Sequence, residues 1–241
     1  MLRTRFFFSV ILAFLQLVPW TITSSLAQPQ DWHLKKTRGT LKVVDLFTPS
    51  GSVLMNYAEG LVSLDRDNNW VPCLAEDWRW IDERTIEFAL RRGVTFQNGE
   101  EFNAEAVRIN WEQYKQMDCP RPMPFLVLPD ATVLEIVDEH RVRFIFPEPE
   151  GLAYVRVRWF LQFAPAFFAS HTFAEKGWGY LPGPGPWGTG PFQMVAGSAL
   201  LSRPSDRIVL EAHKGYWDRQ YPKLEKVIFE NTLVGNRDEA L

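Results

Sequence analysis

The stretch RRGVTFQNGEEFNAEAVRINWEQY, residues 91 to 114, restricts the fold more than any other part of the chain. Asn98-Gly99 marks a tight turn after a strand, because both residues tolerate positive φ. Asn103 predicts a helix N-cap whose side-chain oxygen accepts from the Ala106 amide, and Glu105 sits in the first turn, where the helix dipole favours a negative charge. Phe102 and Val107 occupy the two positions of a hydrophobic staple. Val107, Trp111 and Tyr114 fall at i, i+4 and i+7, one apolar stripe that runs until Asp118-Cys119-Pro120 ends the helix. These aromatics read as core, and the segment contains no obvious catalytic residue.

Elsewhere the periodicity is mostly that of strands. TLKVVDLF, residues 40 to 47, predicts a strand that enters a loop at Pro49 and Gly51. MNYAEGLVSLD, from Met55, reads as a helical turn or two. Trp78 and Trp80 alternate with polar residues, as do Ile86, Phe88 and Leu90, and Asp82-Glu83 between them predicts a hairpin with one buried face. A second hairpin is predicted where Val133, Glu135 and Val137 precede Asp138-Glu139-His140, with Val142, Phe144 and Phe146 alternating beyond. Arg156-Val157-Arg158 alternates as the face of a strand would. GYLPGPGPWGTGPF is the strongest punctuation and reads as a crossover between domains. Ile208, Leu210 and Ala212 then alternate in one strand, and KVIFE forms another.

At the N-terminus, Arg3 and Arg5 precede the apolar run Phe6 to Val18, and Ser25-Leu26-Ala27 supplies small residues before a cut. This is the pattern of a secretory signal peptide over residues 1–27. The run is too short for a spanning helix, which needs about 20 residues. Cleavage after Ala27 takes the formal charge from -3 to -5. A mildly acidic exported chain with dispersed basic residues is poorly suited to nucleic acid or anionic lipid. In that compartment Cys73 and Cys119 fit either a disulfide or two buried thiols.

Catalytic patterns fail one by one. Gly183, Gly185 and Gly188 spell G-x-G-x-x-G, but Pro184 and Pro186 remove amide donors that a pyrophosphate would need, and no strand–turn–helix surrounds them. His33, His140, His171 and His213 lack metal-ligand spacing, and no G-x-S-x-G occurs. The carboxylate pairs Glu100-Glu101 and Asp138-Glu139 sit at turns, where solvated faces are the ordinary reading. The chain is expected to be no enzyme, with neither cofactor nor metal.

Read in order, EGLV, LAEDW, FALRRGVTFQNGEEFNAEAV, GTGPF, IVLEAHKGYWDRQYPKLEKVIFE and RDEAL resemble the bacterial extracellular solute-binding proteins of family 5, the peptide/nickel class that serves ABC importers. The resemblance spans residues 57 to 241 and accounts for a capped helix with no catalytic group, since in that family the segment belongs to a scaffold. It implies a mixed α/β fold of the type II periplasmic binding-protein kind: a first lobe with an inserted subdomain, the second lobe missing. Residues 28–57 and 183–241 then build the ligand-side subdomain and 58–182 the inserted scaffold subdomain. Closure would be a hinge motion stabilised by a ligand touching both lobes.

The loop FTPSGSVLMNYAEGL departs from the family by being shorter and by lacking Leu-Asp-Pro. The chain also stops at Leu241, where the family continues into the opposing lobe, so a fragment of a longer protein is expected. The implied function is a periplasmic receptor, monomeric, that binds a small molecule, peptide or nickel chelate and engages the permease subunits of an ABC importer. Phe47, Thr48, Pro49 and Ser50 on the short loop, Trp187 and Thr189 beside the crossover, and Arg158 are the candidate ligand contacts. The plainer reading of Pro49 and Ser50 is a simple turn, of Trp187 a core position and of Arg158 a surface or strand face. The alternative function is a short interaction protein, or holdase, that uses the exposed lobe face.

Overall fold

The computed structural model describes residues 38–44, 51–116, 127–170, 185–198 and 207–230. Two four-stranded sheets and a two-stranded ribbon carry the fold. The first sheet joins the two ends of the described chain: β1 (Thr40–Val44) lies parallel to β10 (Lys226–Glu230), followed by β9 (Arg207–Ala212) and β8 (Phe192–Met194), both antiparallel. α1 (Gly51–Tyr57) covers one face. Val53 and Tyr57 meet Phe192, Met194, Ile208, Leu210, Val227 and Phe229 there in one apolar cluster.

β2 (Val62–Leu64) and β3 (Trp70–Pro72) form the ribbon. The second large sheet runs β4 (Ala75–Trp80), β5 (Thr85–Leu90), β7 (Arg141–Ile145), β6 (Val133–Asp138), antiparallel throughout. Both predicted hairpins are present in it. On its inner face Phe88 and Phe144 meet edge-to-face at 5.8 Å, and Phe144 meets Phe160 at 6.1 Å. Trp111 and Tyr114 of α2 (Ala104–Lys115) close on the same Phe160 ring at 6.1 and 5.3 Å. Full burial of one such ring contributes about 1.5–3 kcal/mol, so Phe160 ties helix to sheet.

The outer face is held by charge. Arg79, Glu87, Arg143 and Glu135 sit opposite one another on β4, β5, β7 and β6, a row of alternating sign across all four strands. Arg79 Nη2 and Arg143 Nε each lie 2.8 Å from a Glu87 oxygen, and Arg143 Nη1 lies 3.6 Å from Glu135. Arginine stems cover the carboxylate, which explains how an outward-facing glutamate is only 4% exposed. Burial pushes its carboxyl group up, but hydrogen bonds from Arg143 and Arg79 outweigh that and hold it below the ordinary glutamate range.

α2 starts where the sequence predicts. Asn103 adopts extended backbone and its Oδ1 accepts from the Ala106 N–H at 3.0 Å, while Phe102 and Val107 are both fully buried. At the preceding turn only Gly99 takes positive φ, +93°. Asn98 contributes instead through its side chain, whose Oδ1 accepts from the Glu100 N–H at 3.0 Å.

Two expectations are corrected. Of the helical reading of residues 55–65, only the stretch to Tyr57 is helical, and Val62–Leu64 is a strand because it pairs with Trp70–Pro72. Arg156-Val157-Arg158 is not a strand face: it lies in α3 (Ala153–Trp159), where Ala153 and Val157, four apart, form the buried face. The arginines project either side of that face, which produces the same local alternation. α4 (Pro165–Ser170) follows. Residues 1–37, 45–50, 117–126, 171–184, 199–206 and 231–241 lie outside the described residues, and with them the signal segment, residues 47–50 of the short loop, Cys119 and the RDEAL end; the continuation of that loop at Gly51–Tyr57 is the helix α1.

Candidate functional site

A cavity of about 450 Å³ opens where α1, the ribbon and α3 approach the first sheet and its β9–β10 loop. Met55 and Asn56 of α1, then Glu59 and Gly60, form one side, and Ser63 of the ribbon and Cys73 just after it continue it. Arg158 enters from α3. Tyr216 and the run Tyr221–Leu224, from the loop between β9 and β10, close the far side.

Close backbone approach brings these parts together. A Cβ on Gly60 would lie 2.3 Å from the Arg158 carbonyl oxygen and 2.6 Å from that of Val157, so only glycine lets α3 reach the turn after α1. The Leu61 N–H donates to the Val157 carbonyl at 3.2 Å beside it. The Gly-rich run at 185–190 serves the same purpose, not phosphate binding: a Cβ on Gly188 would stand 1.9 Å from the Tyr57 carbonyl oxygen.

Glu59 is the most unusual group in the cavity wall. It is 8% exposed, and its carboxyl oxygens accept from Tyr216 Oη at 2.6 Å and Trp217 Nε1 at 3.0 Å, with Cys73 Sγ at 3.6 Å. Burial raises its pKa, and hydrogen bonds from Tyr216, Trp217, Thr189 and Cys73 only partly oppose that. The same burial, reinforced by the Glu59 charge, pushes the Cys73 thiol well up, so this cysteine is a poor nucleophile. Tyr216 is raised by the same two causes. Arg91 stacks 4.4 Å above the Trp217 ring and donates from Nε to the Cys73 carbonyl at 2.8 Å.

The two arginines of α3 have different surroundings. Arg156 pairs with Glu150 at 3.2 Å and is only 14% exposed. Arg158 forms no ion pair with a described residue, and burial lowers its pKa from the usual arginine range. It lines the cavity, with Lys223 as a second cation. The carboxylate already present is satisfied by its own donors, so the charge left available to a guest is positive.

The model of the bacterial extracellular solute-binding proteins, family 5, matches residues 69–240. The chain belongs to that family. Among curated family 5 relatives, the glutathione-binding protein GsiB of Salmonella choleraesuis is 28% identical over 195 residues, 80% of this chain and 36% of the relative. GsiB of Pectobacterium atrosepticum is 27% identical over 198 residues, with 80% and 35% covered. Among solved structures, NikA from Brucella suis in complex with Fe(III)-EDTA superposes with a TM-score of 0.61 at 26% identity, covering 80% of this chain and 39% of that one. The oligopeptide-binding protein AppA from Bacillus subtilis, in complex with a nonapeptide, gives 0.68 at 20% identity, with 85% and 42% covered. The fold is therefore that of the type II periplasmic binding proteins, and the chain spans well under half the length of these relatives.

Of the residues singled out from the sequence of this family 5 chain, the structure brings Arg158 to the cavity. Trp187 instead packs between the two apolar clusters, and Thr189 is buried close to Glu59, neither of them in the lining. Phe47, Thr48, Pro49 and Ser50 lie outside the described residues. Sequence reasoning missed Glu59, Tyr216 and Lys223, although EGLV and GYWD contain a glutamate and a tyrosine among apolar neighbours. Their contact spans 157 residues, which no local pattern reports.

Among the described residues no helix is long and apolar enough to cross a membrane.

Proposed function

We propose that this chain supplies one side of a solute-binding receptor for an ABC importer, and that its cavity takes the carboxylate end of a small solute against Arg158. The observation that carries this reading is the half-buried guanidinium, without an ion-pair partner among the described residues, facing a cavity of about 450 Å³. A desolvated arginine gains most from a ligand that brings the missing negative charge, in bidentate geometry. Glutathione, a nonapeptide and an EDTA chelate are named with the relatives, and all three carry carboxylates.

In this reading residues 28–57 and 183–241 form the ligand-side subdomain and 58–182 its scaffold, residues 1–27 direct export to the periplasm, and the partner is a permease in the inner membrane. Phe47, Thr48, Pro49 and Ser50 extend the contact surface. Binding transfers no covalent bond, so no enzymatic step is assigned. A second reading, a docking protein, is favoured by the edge strand β6, where Val133, Ile136 and Val137 are exposed.

Calorimetric titration with glutathione as the probe tests the first reading. Loss of one charge-assisted hydrogen-bonding pair weakens binding by roughly 10- to 100-fold, so Arg158→Met should lose that much while Arg156→Met should not. Equal binding by Arg158→Met and the parent chain, or binding of the fully amidated tripeptide as tight as that of glutathione, would overturn it.

A further inference from the structure

We infer that Glu59 is a positioning residue, the anchor that holds the β9–β10 loop as the far wall of the cavity. The consequence for solute rests on the binding reading above; the anchoring does not. The loop runs from His213 to Glu225 and carries Tyr216, Tyr221, Pro222, Lys223 and Leu224, all in the cavity lining. Its backbone bonds are of two kinds. Some are internal, from Tyr216 to His213 and from Tyr221 to Asp218, and others tie the loop to its own sheet side, from Arg38 to Lys223 and from Glu225 to Gly39. Among the described residues, the bonds that reach across to the opposite side of the cavity are those from Tyr216 Oη and Trp217 Nε1 to the two oxygens of Glu59.

Glu59 lines the cavity, yet both of its oxygens are turned to the loop and already accept, so it is poorly placed to recognise a guest. Its position is itself determined from behind. Gly60 packs under α3, the Glu59 carbonyl accepts from the Gln162 N–H at 2.9 Å, and Arg91 clamps the outer face of Trp217 while bonding the Cys73 carbonyl. One carboxyl group therefore fixes the Tyr216–Trp217 part of the loop wall against the α3 side, with Arg158, while Lys223 beyond it is tied to its own sheet. A group that sets this spacing decides what size of solute fits between Arg158 and the loop wall, without touching the solute.

The side-chain chemistry supplies a discriminating pair of variants. In Glu59→Gln the amide oxygen still accepts from Trp217 Nε1, and the amide N–H donates to Tyr216 Oη, which reverses its role; in Glu59→Ala both bonds are lost. Hydrogen–deuterium exchange of the full chain without any solute should show residues 214–224 exchanging roughly 10-fold faster or more in Glu59→Ala, since two net hydrogen bonds are removed. Glu59→Gln should stay within about threefold of the parent chain, and protection in α2 and β5 should be unchanged in both. A loop as protected in Glu59→Ala as in the parent, or one opened equally by Glu59→Gln, would overturn the assignment. Should Glu59→Ala not fold, the double variant Tyr216→Phe, Trp217→Phe removes the same bonds from the loop side, and unchanged protection there overturns it equally. Because no solute enters this measurement, failure of the anchor and failure of the binding reading are separate results.

Discussion

Replacing Glu87 by glutamine keeps the shape of the buried side chain and removes the charge at the centre of the row Arg79–Glu87–Arg143–Glu135. The cost follows from exposure. Arg79 is 65% exposed and can return to water, so its pair behaves as a surface ion pair worth about 0.2–1 kcal/mol. Arg143 is 30% exposed and meets a carboxylate that is 5% exposed, which places it nearer the range of about 1.5–3 kcal/mol for hydrogen bonds to charged groups. Because the glutamine oxygen still accepts a hydrogen bond, the low ends of these ranges apply, a loss of about 2 kcal/mol near neutral pH, or a fall of roughly 1 M in the urea midpoint. The pH dependence supplies the sharper check. Glu87 has a depressed pKa in the folded chain, so its stabilisation is present above the ordinary glutamate value of about 4.3. It is lost as the pH falls through the depressed value, where the protonated acid comes to resemble the amide. Urea titrations of the two chains across that window should converge from a gap of about 2 kcal/mol to nearly none. A gap that is absent at neutral pH, or that persists unchanged into acid, would refute the electrostatic account of this sheet face.

Three further outcomes are expected. Gly60→Ala forces a methyl group against the Val157 and Arg158 carbonyls, neither of which is a movable side-chain tip, so a loss of about 1–3 kcal/mol or more is expected; an unchanged urea midpoint would contradict the close approach of α3. Asn103→Ala removes the cap of α2 and should cost about 1 kcal/mol in the same assay, with Asn103→Asp near the parent value. The buried Glu59 has the opposite sign to Glu87: its folded pKa is raised, so its contribution is full below the ordinary glutamate value and is lost as the pH rises through the raised one. Stability of the parent chain relative to Glu59→Gln should therefore decline from mildly acidic toward neutral pH in thermal melts, and a flat difference would speak against a desolvated carboxyl group.

The parts that could be read from sequence are those whose causes are local. The hairpins and α2 declare themselves through period-2 alternation, the Asn103 cap and the Phe102–Val107 staple, all within a dozen residues. α3 does not, because seven residues offer a single repeat of the helical period, Ala153 to Val157, and the flanking arginines mimic strand alternation. α3 is held by core packing of Ala153 and Val157, by Tyr154 against Trp70, Trp78 and Trp80, and by the close approach that Gly60 permits, and position 60 carries no periodicity signal at all. Glu87 was readable as outward-facing but not as buried, since its cover comes from Arg79 and Arg143 on neighbouring strands and depends on register. The cavity is the extreme case. Its charge is set by Arg158, its spacing by Glu59 and its far wall by a loop beginning at His213, three segments joined because β10 pairs in parallel with β1 across almost the whole described chain. Sequence periodicity reports which face of an element is apolar; it does not report which elements meet. A family 5 chain can therefore declare its scaffold in short motifs, while the groups that would recognise its solute become visible only when the first strand and the last are brought side by side.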